Sequence, residues 1–289
     1  MFKNTFCRKF FDLTRVVSAS IALFWGSGVF AQAPLSTTHF ENAEKWSVYA
    51  AGDLELLNED LSDIRVAYDG IFATPDGAFN LATYIDVTNV MFNGVPAHWM
   101  QWTFTSEEEG VGGVANLDLL IMDKKTGALK FRMLPSGQGS EWGGPYNFIG
   151  AGETEITRLL LTKDGEATQE IIQTGRPVFD FGGLPFVLPF MDLKVGKGVR
   201  LNAYQQSGAD GVQYLDVKAI GPTKITDTRG NQHQVIEVQT MAPSRTTLIS
   251  FYISKQAPYF YGWDYKKVDD GSSLFKMVYR GFRPTEIPR

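Results

Sequence analysis

PVFDFGGLPFVLPFMDLKVGKG, residues 177–198, is the stretch on which the reading of the whole chain turns. It carries three prolines (Pro177, Pro185, Pro189), four phenylalanines (Phe179, Phe181, Phe186, Phe190) and Gly182-Gly183 in one apolar run. A central strand needs its backbone N–H groups, and proline has none, so a segment this hydrophobic and this interrupted is not a ladder strand. It reads as a buried crossing between a β-rich half over residues 46–176 and a second β half over 177–289, the two able to form one continuous domain.

On both sides of that crossing the chain is punctuated by turn chemistry. Pro75-Asp76-Gly77, Asn93-Gly94, Lys124 to Gly127, Asp164-Gly165, Asp210-Gly211, Arg229-Gly230-Asn231 and Asp270-Gly271 are each flanked by alternating or apolar runs. The expected fold class is mainly β: a curved antiparallel sheet or partial β-barrel with few short helices. Residues 116–122 and the run Leu129, Phe131, Met133 form an expected hairpin, with Lys130 and Arg132 on a wet face. Residues 155–162 and 168–174 form a second, and strands are expected at 199–205, 212–220, 233–240, 247–254 and 274–280. The spacing of Leu54, Leu57 and Leu61 among acidic residues predicts one short helix over 53–63. Tyr259, Tyr261, Trp263 and Tyr265 alternate, which puts four amphipathic rings on one strand face as a concave wall.

The first residues read as an address. Lys3, Arg8, Lys9 and Arg15 precede an apolar run from Val16 to Phe30, the order of a secretory signal peptide over residues 1–31, with cleavage expected between Ala31 and Gln32. A cut after Ala33 would place Pro34 next to it, so the earlier site is preferred. An uncleaved anchor is the alternative, although the run is shorter than the roughly 20 residues a span needs. Residues 32–45 are expected to be a flexible leader. Cleavage removes four of the 27 basic and one of the 32 acidic side chains, taking the formal charge from −5 to about −8. That balance excludes nucleic acid as an expected partner. Cys7, the single cysteine, leaves with the signal, so neither a disulfide nor a thiol nucleophile is expected in a periplasmic mature chain.

Catalytic patterns are few. The chain has no GxSxG, phosphate loop or HExxH, and its one GxGxxA-like string, Gly26 to Ala31, lies in the signal. His39, His98 and His233 are not in metal-ligand spacing, and His98 reads as a core or rim residue. No cofactor and no metal site are expected. Glu141 beside Trp142, in the glycine-rich loop 138–152, is the one acid-base candidate, which keeps an envelope hydrolase or carbohydrate-active protein open.

The second half carries a resemblance. Residues 193–198 (LKVGKG), 217–221, 235–238, the run FYISKQAPY at 251–259 and Asp270-Gly271 resemble uncharacterised bacterial envelope proteins with a half-barrel domain. More distantly, residues 178–282 are similar to the lipoprotein-carrier (LolA/LolB) half-barrel, an open antiparallel sheet curved round an apolar cavity. The Phe/Pro crossing and the ring row Tyr259 to Tyr265, both placed to line a cavity, lead to the expectation of a non-enzymatic periplasmic binding protein for an apolar small molecule, lipid or lipoprotein, with no transmembrane span after signal cleavage. The expected ligand-binding residues are Phe179, Phe181, Phe186, Phe190, Tyr259, Tyr261, Trp263 and Tyr265. A structural partner of an outer-membrane complex is the third reading.

Overall fold

The structure is a computed structural model, and it describes residues 34–53, 56, 61, 63–74, 77–106, 113–135, 146–161, 165–204, 212–241 and 244–284. Sixteen strands follow one another in a single sheet: β1 (Val48–Tyr49), β2 (Ile64–Thr74), β3 (Gly77–Phe92), β4 (Val95–Ser106), β5 (Gly113–Asp123), β6 (Leu129–Pro135), β7 (Tyr146–Ala151), β8 (Glu155–Leu161), β9 (Ala167–Gln173), β10 (Phe179–Asp180), β11 (Gly198–Tyr204), β12 (Val212–Thr226), β13 (Gln232–Met241), β14 (Thr247–Ile253), β15 (Phe260–Lys267) and β16 (Ser273–Pro284). Its spatial order is β1-β11-β12-β13-β14-β15-β16-β2-β3-β4-β5-β6-β7-β8-β9. Neighbours are antiparallel except that β1 and β10 both run parallel to β11. The predicted antiparallel sheet is therefore present, and strands from before and after the crossing join in one ladder through the pair β16·β2.

That sheet is rolled. Trp102 on β4 and Trp263 on β15 stand four strands apart in the ladder, a separation of about 19 Å on a flat sheet, yet their rings stack with centroids 5.4 Å apart. Tyr68 of β2 likewise donates its hydroxyl to the Phe260 carbonyl, two strands away, at 3.0 Å. The start of the crossing bridges the gap that remains: Leu129 N on β6 donates to Val178 O at 2.9 Å, and β10 pairs with β11.

Inside the roll lies the Phe/Pro segment itself, a buried crossing built of helical turns. Asp180 takes a β conformation and accepts from Gly182 N at 2.7 Å, capping the turn Phe181–Gly183; a short helix α1 (Leu184–Val187) and a turn at Leu188–Phe190 follow. Pro185 and Pro189 occupy first-turn positions, where a missing N–H costs nothing. Gly183 allows a close approach to β5: a Cβ there would overlap the Met122 thioether, which would have to move. Phe179, Leu184, Phe186, Val187 and Leu188 are all buried in the main core with Tyr68, Ile85, Met100, Phe251 and Phe260. Each contributes about 2 kcal/mol by apolar burial, as an upper estimate. This plug enters and leaves at the end that carries the turns Asn93-Gly94 and 124–128.

Three expectations are corrected. Residues 34–45 are not a loose leader: they form 3-10 turns at Thr38–Phe40 and Ala43–Lys45, because the Phe40 ring is buried against Met241 and Leu248. Arg132 is not on a wet face, because the β5·β6 register shifts between Ile121 and Met122 and an inserted residue flips the side-chain alternation. Leu129 and Arg132 consequently turn inward, while Phe131 and Met133 pack outside with Ala97, Leu119 and Ile121. Nor do the four rings of 259–265 form one row: Tyr259 precedes β15 at φ +66°, and the β14·β15 register shifts opposite Phe260 to Gly262. Most of the predicted helix over 53–63 lies outside the described residues, within which Leu56 and Leu61 are buried.

Two stability predictions follow from this packing. Gly262 has φ +127°, and a Cβ there would overlap the Met277 carbonyl oxygen; Gly262→Ala is expected to cost at least about 2 kcal/mol in urea unfolding. Burial, aided by the Lys124 charge, lowers the His98 imidazole from 6.5 to about 4. A depressed folded pKa gives stability that is present above pH 6.5 and lost as pH falls towards 4, up to about 3 kcal/mol; His98→Gln should flatten that part of the stability profile.

Candidate functional site

Working along the inner face from the plug, the interior divides into two ends. At the plug end Phe186 packs on Phe260 at 6.1 Å and Phe190 on Tyr259 at 5.2 Å, all of them buried. Tyr261 sits with His233 at 5.0 Å and Tyr279 at 5.0 Å, and His233 Nε2 lies 2.9 Å from an Asp227 carboxylate oxygen. Asp227 also accepts from the backbone N–H groups of Arg229 and Asn231. These hydrogen bonds, that to His233 foremost, hold its carboxyl well below the usual range.

The far end, where β4 passes to β5 and β15 to β16, is built differently. The plug tip Phe181 stacks on Trp263 at 6.2 Å and meets Phe251 edge-on at 6.2 Å. Trp102 stacks between Trp263 and Phe104, and Phe275 meets Trp263 edge-on at 5.8 Å. Phe104, Phe181, Trp263, Tyr265 and Phe275 are only half-buried, whereas Trp102, behind them, is 2% exposed. The result is a half-buried aromatic cluster, the cup, with Phe181 of the plug packed at its base. Two of its donors are unsatisfied: among the described residues neither the Trp102 nor the Trp263 indole N–H has a hydrogen-bond acceptor, and the buried Thr83 hydroxyl, on the residue paired with Phe104, has no partner either.

Beside the cup is a buried ion group. Arg132 donates Nε and Nη2 to the two Asp118 oxygens at 3.1 and 2.6 Å, and Nη1 to both Asp180 oxygens at 2.9 Å. Burial alone would lower the guanidinium, but the two carboxylates together more than offset it and hold it above its ordinary value. The Asp180 carboxyl is pushed up, since desolvation outweighs its attraction to Arg132. Asp118 pairs in register with Trp102, and Asp180 directly precedes Phe181, so the group anchors both wall and floor.

Of the eight residues expected to bind a ligand, the far end holds Phe181, Trp263 and Tyr265. Phe179, Phe186 and Phe190 are in the plug core, and Tyr259 and Tyr261 sit at the plug end. Sequence reasoning missed Trp102, Phe104, Phe275 and the ion group. An arginine flanked by Phe131 and Met133 in β6, with an aspartate in the partner strand of the same hairpin, was the available signal. Glu141 and Trp142 lie outside the described residues. No group of three or more His, Cys, Asp or Glu side chains placed to hold a metal occurs among the described residues. No described helix is long and apolar enough to cross a membrane. An open hollow of about 500 Å³ on the convex surface, lined by Phe92, Val95, Lys130, Phe131, Ala151 and Glu155 among others, is less suited to chemistry. Its charges are engaged elsewhere: Lys130 with Asp123 and Glu153, and Glu155 with Gln173.

The fold and cup define a mainly β, barrel-like protein with a plugged interior. No protein-family model matches the chain, and no curated protein matches it. Among solved structures, a beta-barrel-like protein of the domain of unknown function DUF1849 from Brucella abortus is similar, with a TM-score of 0.48 and 10% identity over 78% of this chain and 99% of that one.

Removing Arg132 tests the ion group. Arg132→Met leaves two facing carboxylates, one fully buried, without their cation, and is expected to cost about 3–5 kcal/mol by urea denaturation. The double variant Arg132→Met, Asp180→Leu should recover part of that loss.

Proposed function

We propose that this chain is a non-enzymatic binding protein of the bacterial periplasm, exported by the signal over residues 1–31, whose aromatic cup takes an apolar small molecule, a lipid or a lipidated partner. The observation that carries the reading is the half-buried ring cluster at the far end, set against a plug end where Phe186, Phe190, Tyr259 and Phe260 are packed away from solvent and only the Tyr261–His233 pair is half-buried. Large rings left half-wet round Phe181 cost hydration free energy that an apolar ligand would recover. The likeness of residues 178–282 to the lipoprotein-carrier half-barrel belongs to this proposal and agrees in ligand chemistry. One observation favours a structural partner of an outer-membrane complex instead: Val95 and Trp99 are exposed on the outer face of the β3–β4 hairpin, and Met91, on the other face near its tip, is 67% exposed. An envelope hydrolase using Glu141 and Trp142 has no observation in its favour among the described residues.

The full-length precursor, expressed in a bacterial host and recovered from the periplasm, gives the test. Its native mass spectrum should show a bound apolar species, and the recovered protein should enhance N-phenylnaphthylamine fluorescence. Phe104→Ser and Tyr265→Ser, at the half-buried rim, should each weaken that dye at least about fivefold while urea midpoints stay close to wild type. Absence of both ligand and dye binding would overturn the binding reading, and loss of dye binding in a Val95→Ser, Trp99→Ser variant instead would move the site to the convex surface.

A further inference from the structure

The cup contains a feature that a purely hydrocarbon ligand would leave unexplained. The Trp102 and Trp263 rings stack on each other, and both carry buried indole N–H groups without an acceptor among the described residues; the Thr83 hydroxyl, on the neighbouring strand, is also without a partner. Trp102 is 2% exposed and Thr83 is fully buried, so bulk water does not serve them. A buried donor left unmade costs free energy on the scale of a whole hydrogen bond, and native proteins seldom leave such groups together. Tryptophan at these positions is also more than a ring: phenylalanine would supply the ring contact alone, as Phe104 does by stacking and Phe275 edge-on in the same cluster.

The ion group supplies the second constraint. Asp118 faces Trp102 across β4·β5 in register, Asp180 adjoins Phe181, and Arg132 is the cation shared by both. Two carboxylates against one guanidinium leave the group net negative when both are ionised, so an anion brought to the same wall would be repelled in a poorly screened site. An acceptor that is neutral meets no such penalty.

Resting on the apolar-binding reading, we infer that the cup recognises a neutral acyl carbonyl, as in an ester or an amide of a fatty acid, its chain against Phe104, Phe181 and Phe275 and its carbonyl oxygen accepting from the Trp102 and Trp263 indole N–H groups. A free carboxylate is selected against by the Asp118–Arg132–Asp180 group. The site is thus a polarity filter inside an apolar cup.

Matched ligands separate this inference from the reading it rests on. Methyl nonanoate, nonanoate and decane displace N-phenylnaphthylamine from the full chain, from Trp102→Phe and from Trp263→Phe. The ester is expected to bind roughly tenfold more tightly than decane, as one or two hydrogen bonds provide, and more tightly than nonanoate. Each Trp→Phe variant should lose about three- to tenfold of the ester affinity while holding decane within about twofold. In ¹⁵N-labelled protein the two indole N–H resonances should move downfield with the ester and not with decane, a readout that stands even where a variant fails to fold. Equal affinity for ester and decane would overturn the acceptor assignment and leave the apolar cup intact. Binding of neither would overturn both, and tighter nonanoate would overturn the charge filter. Competition by dioctanoylglycerol against an N-octanoyl dipeptide amide then distinguishes an ester lipid from an acylated chain as the source. Either one competing supports the inference, and failure of both overturns it.

Discussion

A guanidinium held away from water between two carboxylates is the constraint on which the interior arrangement depends. Arg132 reaches inward from β6 and joins Asp118 of β5 to Asp180 at the root of the plug. A buried charge of this kind is tolerated only when its partners are correctly placed, so the pairing defines position more than it adds stability. Asp180 serves twice, as counter-ion to Arg132 and as the acceptor that starts the first plug turn. Through it the sheet wall dictates where Phe181 ends up, and Phe181 is the floor of the cup.

The plug answers a packing problem set by the sheet. The path from β11 through β16 and β2 to β6 runs through eleven strands, and a roll that wide encloses more volume than its own side chains fill. Residues 179–190 occupy one end of that volume, with Phe179, Leu184, Phe186 and Val187 essentially without exposure. Close packing there makes the plug end a core in the ordinary sense. Because the plug turns back at Phe181–Gly183, the other end is lined by rings that are only partly covered. One segment therefore produces two unlike environments, a dry one and an amphipathic one.

Much of the architecture could be read from local signals. Hairpins were marked by Asn93-Gly94, Lys124 to Gly127 and Asp270-Gly271, and the structure has a strand on each side of each of them. Reading failed where an inserted residue changes the parity of a strand. The β5·β6 shift at Ile121/Met122 sends Arg132 inward, and the shift opposite Phe260 to Gly262 breaks the alternation of the rings of 259–265. Alternation in the sequence carries no mark of such an insertion, because the side chains are the same whichever face they meet. The segment was read as a buried crossing without its helical turns; Asp180 as a cap with prolines at first-turn positions was the helical signal passed over.

By itself, the sequence determined that this chain forms a mainly β sheet and that the Phe/Pro part of residues 177–198 is buried in it; Val178–Met191 are inside, whereas 192–197 return to the surface. Those properties depend on turn chemistry, proline's missing N–H and apolar run length, all of which act between near neighbours. Only the tertiary structure decided which rings share a space: Trp102 and Trp263 are 161 positions apart, and Arg132 and Asp180 are 48 apart. Their meeting depends on the accumulated twist and the register shifts of a sheet rolled through many strands, quantities that are set by the ladder as a whole and by no local stretch of it.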